Sequence, residues 1–209
     1  MRTLLLAICL FVSTLLGAQN RILADIEKAN AAYETIESVF IRTQTNVCKG
    51  TSVKAEGELY IAGEDKMAQH YKAPSTDMLI VNGNEFYMAR GKKTNKFNTV
   101  KNKTMRSLRN TLLYCVHGKP VLLATENGAE ITAEKKEKGY EVVLTSTKKA
   151  PRGYAKIVLT YDLKSKLLTR MQMDEYNGNS TLYEMSDLKV NTSMDTKVFK
   201  IPDKVSKNK

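Results

Sequence analysis

Residues 77–90 read DMLIVNGNEFYMAR. Asp77 to Asn82 and Glu85 to Arg90 are two runs rich in β-branched, aromatic and long apolar residues, joined at Asn82-Gly83. That dipeptide is among the strongest short-range hairpin signals, because both residue types tolerate the positive φ that a tight turn between twisted strands needs. Side chains alternate along a strand, so Leu79 shares a face with Val81, and Phe86 with Met88. A lone two-stranded hairpin is marginal in water, so these apolar faces need more sheet around them. The fold class therefore turns on whether the same rhythm continues on either side.

Upstream it does. Val39, Ile41, Thr43 and Thr45 alternate with Phe40, Arg42 and Gln44; Gly57, Leu59 and Ile61 alternate with Glu56, Glu58 and Tyr60. Met67, Gln69 and Tyr71 alternate with Lys66, Ala68 and His70. Downstream, residues 95–100 form a weak strand, Ala129 to Lys135 pairs with Tyr140 to Thr147 across Lys138-Gly139, and Tyr154 to Leu163 pairs with Leu167 to Tyr176 across Lys164-Ser165. Ser180 to Val190 follows the turn Asn177-Gly178-Asn179, and Val198 to Ile201 is expected to be a last short strand. Within these runs Val142 and Leu144 share a face, as do Ile157, Leu159 and Tyr161, and Met171 and Met173. Pro74, Pro120, Pro151 and Pro202 all fall between or at the ends of strands, where a missing backbone N–H does least harm. The chain is mainly β, with about eleven or twelve strands in successive hairpins, and a single antiparallel sheet of that size must curl or close. An outer-membrane barrel would need outward apolar bands with aromatic girdles. The absence of tryptophan and a charge-rich face on nearly every strand argue against it.

Two segments have a helical period instead. Ile22, Ile26, Ala29, Tyr33 and Ile36 recur at intervals of three and four before the first strand. Met105, Leu108, Leu112 and Cys115 do the same within Thr104 to Val116, a helix expected to end near His117-Gly118 and to be stopped by Pro120 before the short apolar piece Val121 to Ala124. Core packing and a cover over a cavity give the same stripe, so the pattern alone does not choose between them.

The amino terminus sets the compartment. Arg2, the apolar run Leu4 to Leu16 and the small residues Gly17-Ala18 have the order of a secretory leader, with cleavage expected after Ala18. The apolar run is shorter than a bilayer span, and Cys9 lies inside it without the small preceding residue that lipidation favours. Residues 19–209 then form one domain. The formal net charge of +11 comes from lysines and arginines spread along the chain. They read either as a solvated surface or as attraction to anionic lipid head groups. Export makes nucleic acid an unsuitable partner. Two cysteines, Cys48 and Cys115, survive cleavage, and an oxidising compartment favours one disulfide between them over two buried thiols.

Catalytic machinery is not legible. No G-x-S-x-G elbow, phosphate-cradling glycine loop or buried acid–base pair stands out. His70 sits on a strand face with lysines, and His117 at a helix end favours the helix dipole. Two histidines and two cysteines far apart do not make a metal signature, so neither metal nor cofactor is expected, and the chain reads as a non-enzyme. Met67, Met78, Met88, Met105, Met171, Met173 and Met185 fall in strands or the second helix. Methionine fills core gaps and also suits surfaces that adapt to varied apolar ligands.

The stretch from Gly57-Glu58-Leu59-Tyr60 through Pro74 to Met78-Leu79-Ile80-Val81-Asn82-Gly83, with the closing Val198-Phe199-Lys200-Ile201-Pro202, resembles the LolA family of periplasmic lipoprotein carriers. The resemblance covers nearly all of the mature chain, though each motif is short. It implies an incomplete antiparallel β-barrel of about eleven strands with α-helices as a lid over an apolar cavity. Such a cavity takes the acyl chains of lipoproteins, or other lipids, for transport to the outer membrane. On that reading Ile26, Tyr33, Leu108 and Leu112 belong to the lid. Met67, Tyr71, Leu79, Val81, Phe86, Met88, Val142, Leu144, Ile157, Leu159, Tyr161, Met171 and Met173 line the cavity. The implied partners are an inner-membrane transporter and an outer-membrane acceptor, with the carrier itself a monomer. A lipid-sensing regulator of envelope stress on the same fold is the alternative. Two positions depart from the family pattern. Gly63-Glu64 stands where an arginine–proline pair is common, removing an arginine that helps hold the lid, and Gln69 replaces a tryptophan.

Overall fold

The structure, a computed structural model, describes residues 17–148 and 153–202. Residues 1–16 of the leader expected at residues 1–18, and the basic tail from Lys204, lie outside the described residues. Residues 17–30 are helical (α1). Six strands follow: β1 (Thr35–Asn46), β2 (Thr51–Ala62), β3 (Lys66–Tyr71), β4 (Met78–Asn82), β5 (Glu85–Arg90) and β6 (Lys93–Asn98). Helices α2 (Lys103–Val116) and α3 (Pro120–Asn127) lead to β7 (Ala129–Lys136), β8 (Gly139–Ser146), β9 (Tyr154–Tyr161), β10 (Leu168–Glu175) and β11 (Ser180–Val190).

All eleven strands join one antiparallel sheet in the order β6-β5-β4-β3-β2-β1-β11-β10-β9-β8-β7. Each half of the chain is a meander of hairpins, and the two halves meet where β1 pairs with β11 over Ile36↔Val190 to Thr45↔Ser180. The sheet stays open, because its edges β6 and β7 do not pair with each other. This is the incomplete barrel that the family resemblance implies.

The hairpin that opened the reading forms with Asn82 opposite Glu85, so its two-residue loop is Gly83-Asn84, with Gly83 at φ +59°. A left-handed backbone of that kind costs glycine nothing. Gly57 is needed for a different reason. A Cβ there would lie 2.5 Å from Phe40 Cζ and 2.6 Å from the His70 carbonyl oxygen. The bare glycine lets the Phe40 ring cross the sheet to meet Tyr71 edge-on at 5.0 Å and Tyr183 at 5.8 Å.

The sheet buries both faces, unequally. The inner face carries the main core: Phe40, Leu59, Ile61, Met67, Val81, Phe86, Val142, Leu144, Leu159, Tyr161, Met171 and Met173, with Leu23 and Ile26 of α1 and the carboxyl-terminal half of α2 seated on them. The outer face carries a small second cluster, Ala68, Ile80 and Tyr87 around Phe199.

Four sequence expectations are corrected here. The α1 helix ends at residue 30, so Tyr33 lies in the turn after it and Ile36 in β1. Asn30 closes the helix, donating from Nδ2 to the Ile26 carbonyl at 2.9 Å and the Lys166 carbonyl at 2.7 Å. Pro120 does not merely stop α2 but starts α3, since proline at a first helical position loses no intrahelical hydrogen bond. The segment around Val198 is a 3-10 helix, Thr196–Phe199, started by the Asp195 carboxylate accepting from Lys197 N. It plugs the outer face instead of extending the sheet, held by Asn82 Nδ2 donating to the Phe199 carbonyl and by His70 Nε2 against the Val198 carbonyl at 2.8 Å. Finally, Cys48 and Cys115 are free. Cys48 is exposed in the β1–β2 turn, beyond the Asn46↔Thr51 pair. The fully buried Cys115 accepts at its carbonyl from the Tyr161 hydroxyl, at the other end of the sheet. A disulfide needs Cα atoms within about 7 Å, which this placement does not allow.

Candidate ligand-binding site

The inner face is packed at one end and open at the other. At the packed end, near the β9–β10 turn, α1 and α2 are tied to the sheet by polar contacts as well as apolar ones. Asn30, the last residue of α1, donates to the Lys166 carbonyl at 2.7 Å, Tyr33 just after it donates to the Ser165 carbonyl at 3.0 Å, and the Tyr161 hydroxyl donates to the Cys115 carbonyl of α2 at 3.1 Å. Complete burial pushes the Tyr161 phenol and the Cys115 thiol far above their ordinary ranges, so both stay neutral. His117 follows α2, its N–H donating to the Leu113 carbonyl at 2.9 Å. Burial, reinforced by the nearby Lys119 ammonium, lowers its pKa to about 4 against a small opposing pull from Glu64. His117 is thus a neutral, buried residue near neutral pH.

Lys119 Nζ reaches Glu64 Oε1 at 2.9 Å. The β2–β3 turn is therefore linked to the α2–α3 connection.

Toward the other end the amino-terminal half of α2 is less buried, with Met105 and Leu108 only partly covered against the core. A groove of about 640 Å³ lies there, lined by Met105, Leu108 and Thr111 of α2 and by Tyr154 and Glu175 at the ends of β9 and β10. A neighbouring space of about 240 Å³ shares Ser107, Asn127, Gly153 and Tyr154 with it and reaches Leu144 and Ile157 on the sheet. Burial raises the Tyr154 phenol well above its ordinary value, so its rim hydroxyl is un-ionised.

On the other wing a third space of about 300 Å³ is lined by Arg42, Tyr71, Leu79, Met88, Arg90, Lys93 and Tyr183, among others. Arg42 lies directly against Tyr71. Its Nη1 donates to the Tyr71 hydroxyl at 3.0 Å, and its guanidinium carbon stands 4.6 Å from that ring's centre.

Of the residues assigned to the cavity and lid, Tyr71, Leu79 and Met88 line the Arg42 space, Leu108 the groove of about 640 Å³, and Leu144 with Ile157 its neighbour. Ile26 of α1 and Leu112 of α2 are packed into the main core together with Met67, Val81, Phe86, Val142, Leu159, Tyr161, Met171 and Met173 of the sheet, and Tyr33 sits at its margin. The sequence reading missed Arg42, Met105, Tyr154 and Tyr183 as lining residues. Arg42 had a usable signal, since it shares strand parity with Phe40 and so points to the same face.

Comparison with known proteins fits this architecture. The family profile described as "Outer membrane lipoprotein carrier protein LolA" matches residues 31–202. The chain belongs to the LolA family. No curated protein matches by sequence. Among solved structures, a LolA superfamily protein from Nitrosomonas europaea is 10% identical, with 88% of this chain and 98% of that one covered and a TM-score of 0.44. MucB is 13% identical with a TM-score of 0.50, covering 88% of this chain and 64% of that chain. The lipoprotein LppX of Mycobacterium tuberculosis is 13% identical with a TM-score of 0.40, covering 84% of this chain and 99% of that one. At such identities these likenesses concern the fold alone. Among the described residues no group of three or more His, Cys, Asp or Glu side chains could hold a metal ion, and no helix is long and apolar enough to cross a membrane.

Proposed function

We propose that this protein is an exported carrier that shelters the acyl chains of a lipoprotein or other lipid on the inner face of its open sheet and carries them toward the outer membrane. The observation behind this reading is the groove of about 640 Å³ beside the amino-terminal half of α2. Its volume falls within the range of small-molecule sites, roughly 300–1,000 Å³. Its inner wall continues into the main apolar core through Met105 and Leu108. Displacing two such side chains forfeits up to about 1.5–3 kcal/mol each, and burying about four to eight methylenes of a ligand compensates for that. An acyl chain supplies more than this, so cargo can hold open a helix that stays down when empty.

Native mass spectrometry of the exported protein tests the reading, together with titration by a fluorescent fatty-acyl probe competed with a diacylated lipopeptide. Saturable binding, weakened by Leu108→Asp, is the expected result. Absence of both co-purified lipid and saturable probe binding would overturn it. Tight binding of an unacylated envelope protein domain without any acyl dependence would favour the lipid-sensing regulator instead.

A further inference from the structure

Arg42 is a cation without an anion. Its side chain is on β1, is only 8% exposed, and shares the inner face with Phe40. Among the described residues no carboxylate pairs with it. One hydrogen bond to Tyr71 and the face of that ring satisfy part of the guanidinium, while Nε is buried with no partner at all. A buried charge in this state is costly unless something pairs with it, and the partner must supply acceptor oxygens. Tyr71 does not supply the missing charge, because burial holds its phenol un-ionised.

The surroundings specify the rest. The adjoining space of about 300 Å³ brings in Arg90 and Lys93, paired across the β5–β6 hairpin, against a single carboxylate, Asp77. Asp77 Oδ1 already accepts from the Gly91 N–H at 3.0 Å. Three cations facing one carboxylate leave an excess of two positive charges. A phosphomonoester near neutral pH carries about −1.5 to −2. The walls beside the charges are the apolar Leu79 and Met88, which pack on the main core.

We propose that this pocket binds the phosphomonoester head of a single-chain lipid, with Arg42 as the buried anchor, Arg90 and Lys93 at the rim, and the acyl chain running along Leu79 and Met88. The proposal deepens the acyl-carrier reading and rests on it. It names a polar head selected by this chain's own residues rather than by the groove beside α2.

The test uses three probes on the full mature chain: oleoyl lysophosphatidic acid, its uncharged counterpart monoolein, and inorganic phosphate, each by calorimetric titration at low and high salt. The phosphate-bearing lipid should bind at least about tenfold more tightly than monoolein, as charge-assisted hydrogen bonds of this kind warrant, with the difference shrinking in salt. Arg42→Met should remove that preference. Arg90→Gln with Lys93→Gln, both on exposed side chains, should reduce it by several-fold and carries the test if Arg42→Met fails to fold. Equal binding of the two lipids by the native chain overturns the head-group site while leaving the carrier reading standing. Inorganic phosphate binding as tightly as the lipid overturns the lipid source in favour of free phosphate. Failure of both lipids to bind removes the carrier reading and this proposal together.

Discussion

The two halves of α2 meet the sheet in different ways. From Thr111 to Val116 the helix presents Leu112, Leu113, Cys115 and Val116 to the core, and the Tyr161 hydroxyl fastens its last turn. From Lys103 to Asn110 no residue is fully buried. The Asn102 side chain caps this half by accepting from Met105 N, and Arg109 Nε donates to the Gly83 carbonyl at 2.8 Å. The first turn holds no acidic residue, and Lys103 and Arg106 stand where the helix dipole disfavours positive charge. One continuous helix is thus buried core at one end and partly exposed at the other.

The largest test of that contrast is a pair of truncations. Leu112→Ala should cost about 2–5 kcal/mol of global stability in urea unfolding, as buried leucines do, whereas Leu108→Ala should cost less than about 1.5 kcal/mol. Equal losses would mean that both halves are core.

Acid should loosen the packed end next. The folded pKa of His117 lies below its ordinary value of 6.5, at about 4. The folded state therefore prefers the neutral ring. This contribution is fully present above about pH 6.5 and is lost as pH falls toward about 4, a change on the order of 2–3 kcal/mol. Stability measured from pH 7 to 4 should fall more steeply for the native chain than for His117→Gln; parallel curves would remove His117 from the account.

Tyr161→Phe removes the phenol donor from the buried Cys115 carbonyl and leaves it the longer bond from the Gly118 N–H at 3.4 Å. It should cost about 1–2 kcal/mol and speed amide exchange in the last turn of α2. Unchanged exchange there would show that apolar packing alone holds this half down.

Asn102→Ala should have the smallest effect, about 0.5–2 kcal/mol locally, as loss of an amino-terminal cap does. Hydrogen exchange should rise over residues 103–110 with global unfolding nearly unmoved. If acyl ligand added to the native chain then changes protection in residues 103–110 but not in 111–116, the contrast sharpens into a mechanism. Uniform change along the helix would break it.

Much of this was legible in the sequence. Strand alternation, the turn residues and the helical stripe at Thr104 to Val116 located the strands and α2, although β1 begins at Thr35 and β2 at Thr51, earlier than the alternation from Val39 and Glu56 showed; each signal is local, since backbone propensity, φ tolerance and side-chain period act over a few neighbours. The failures were also local signals, met by a non-local competitor. The Val198 segment has strand composition, yet the outer face at Ile80 and Tyr87 offered its Phe199 more burial as a plug. The stripe through Tyr33 and Ile36 continued the helical period, yet pairing of Thr35 with Ala62 claimed that stretch for β1.

What the sequence determined by itself is the set of pieces and the parity within each strand: Phe40 with Arg42, Leu79 with Val81, Phe86 with Met88. Only the tertiary structure decided which parity faces inward, that β1 closes on β11 while β6 and β7 remain unpaired, and that Cys48 and Cys115 stand at opposite ends. It also decided that Arg42 is buried without an anion. Alternation fixes the relation between neighbouring side chains, but burial depends on what the rest of the chain lays over them, and that is settled only when the helices and both halves of the sheet come together.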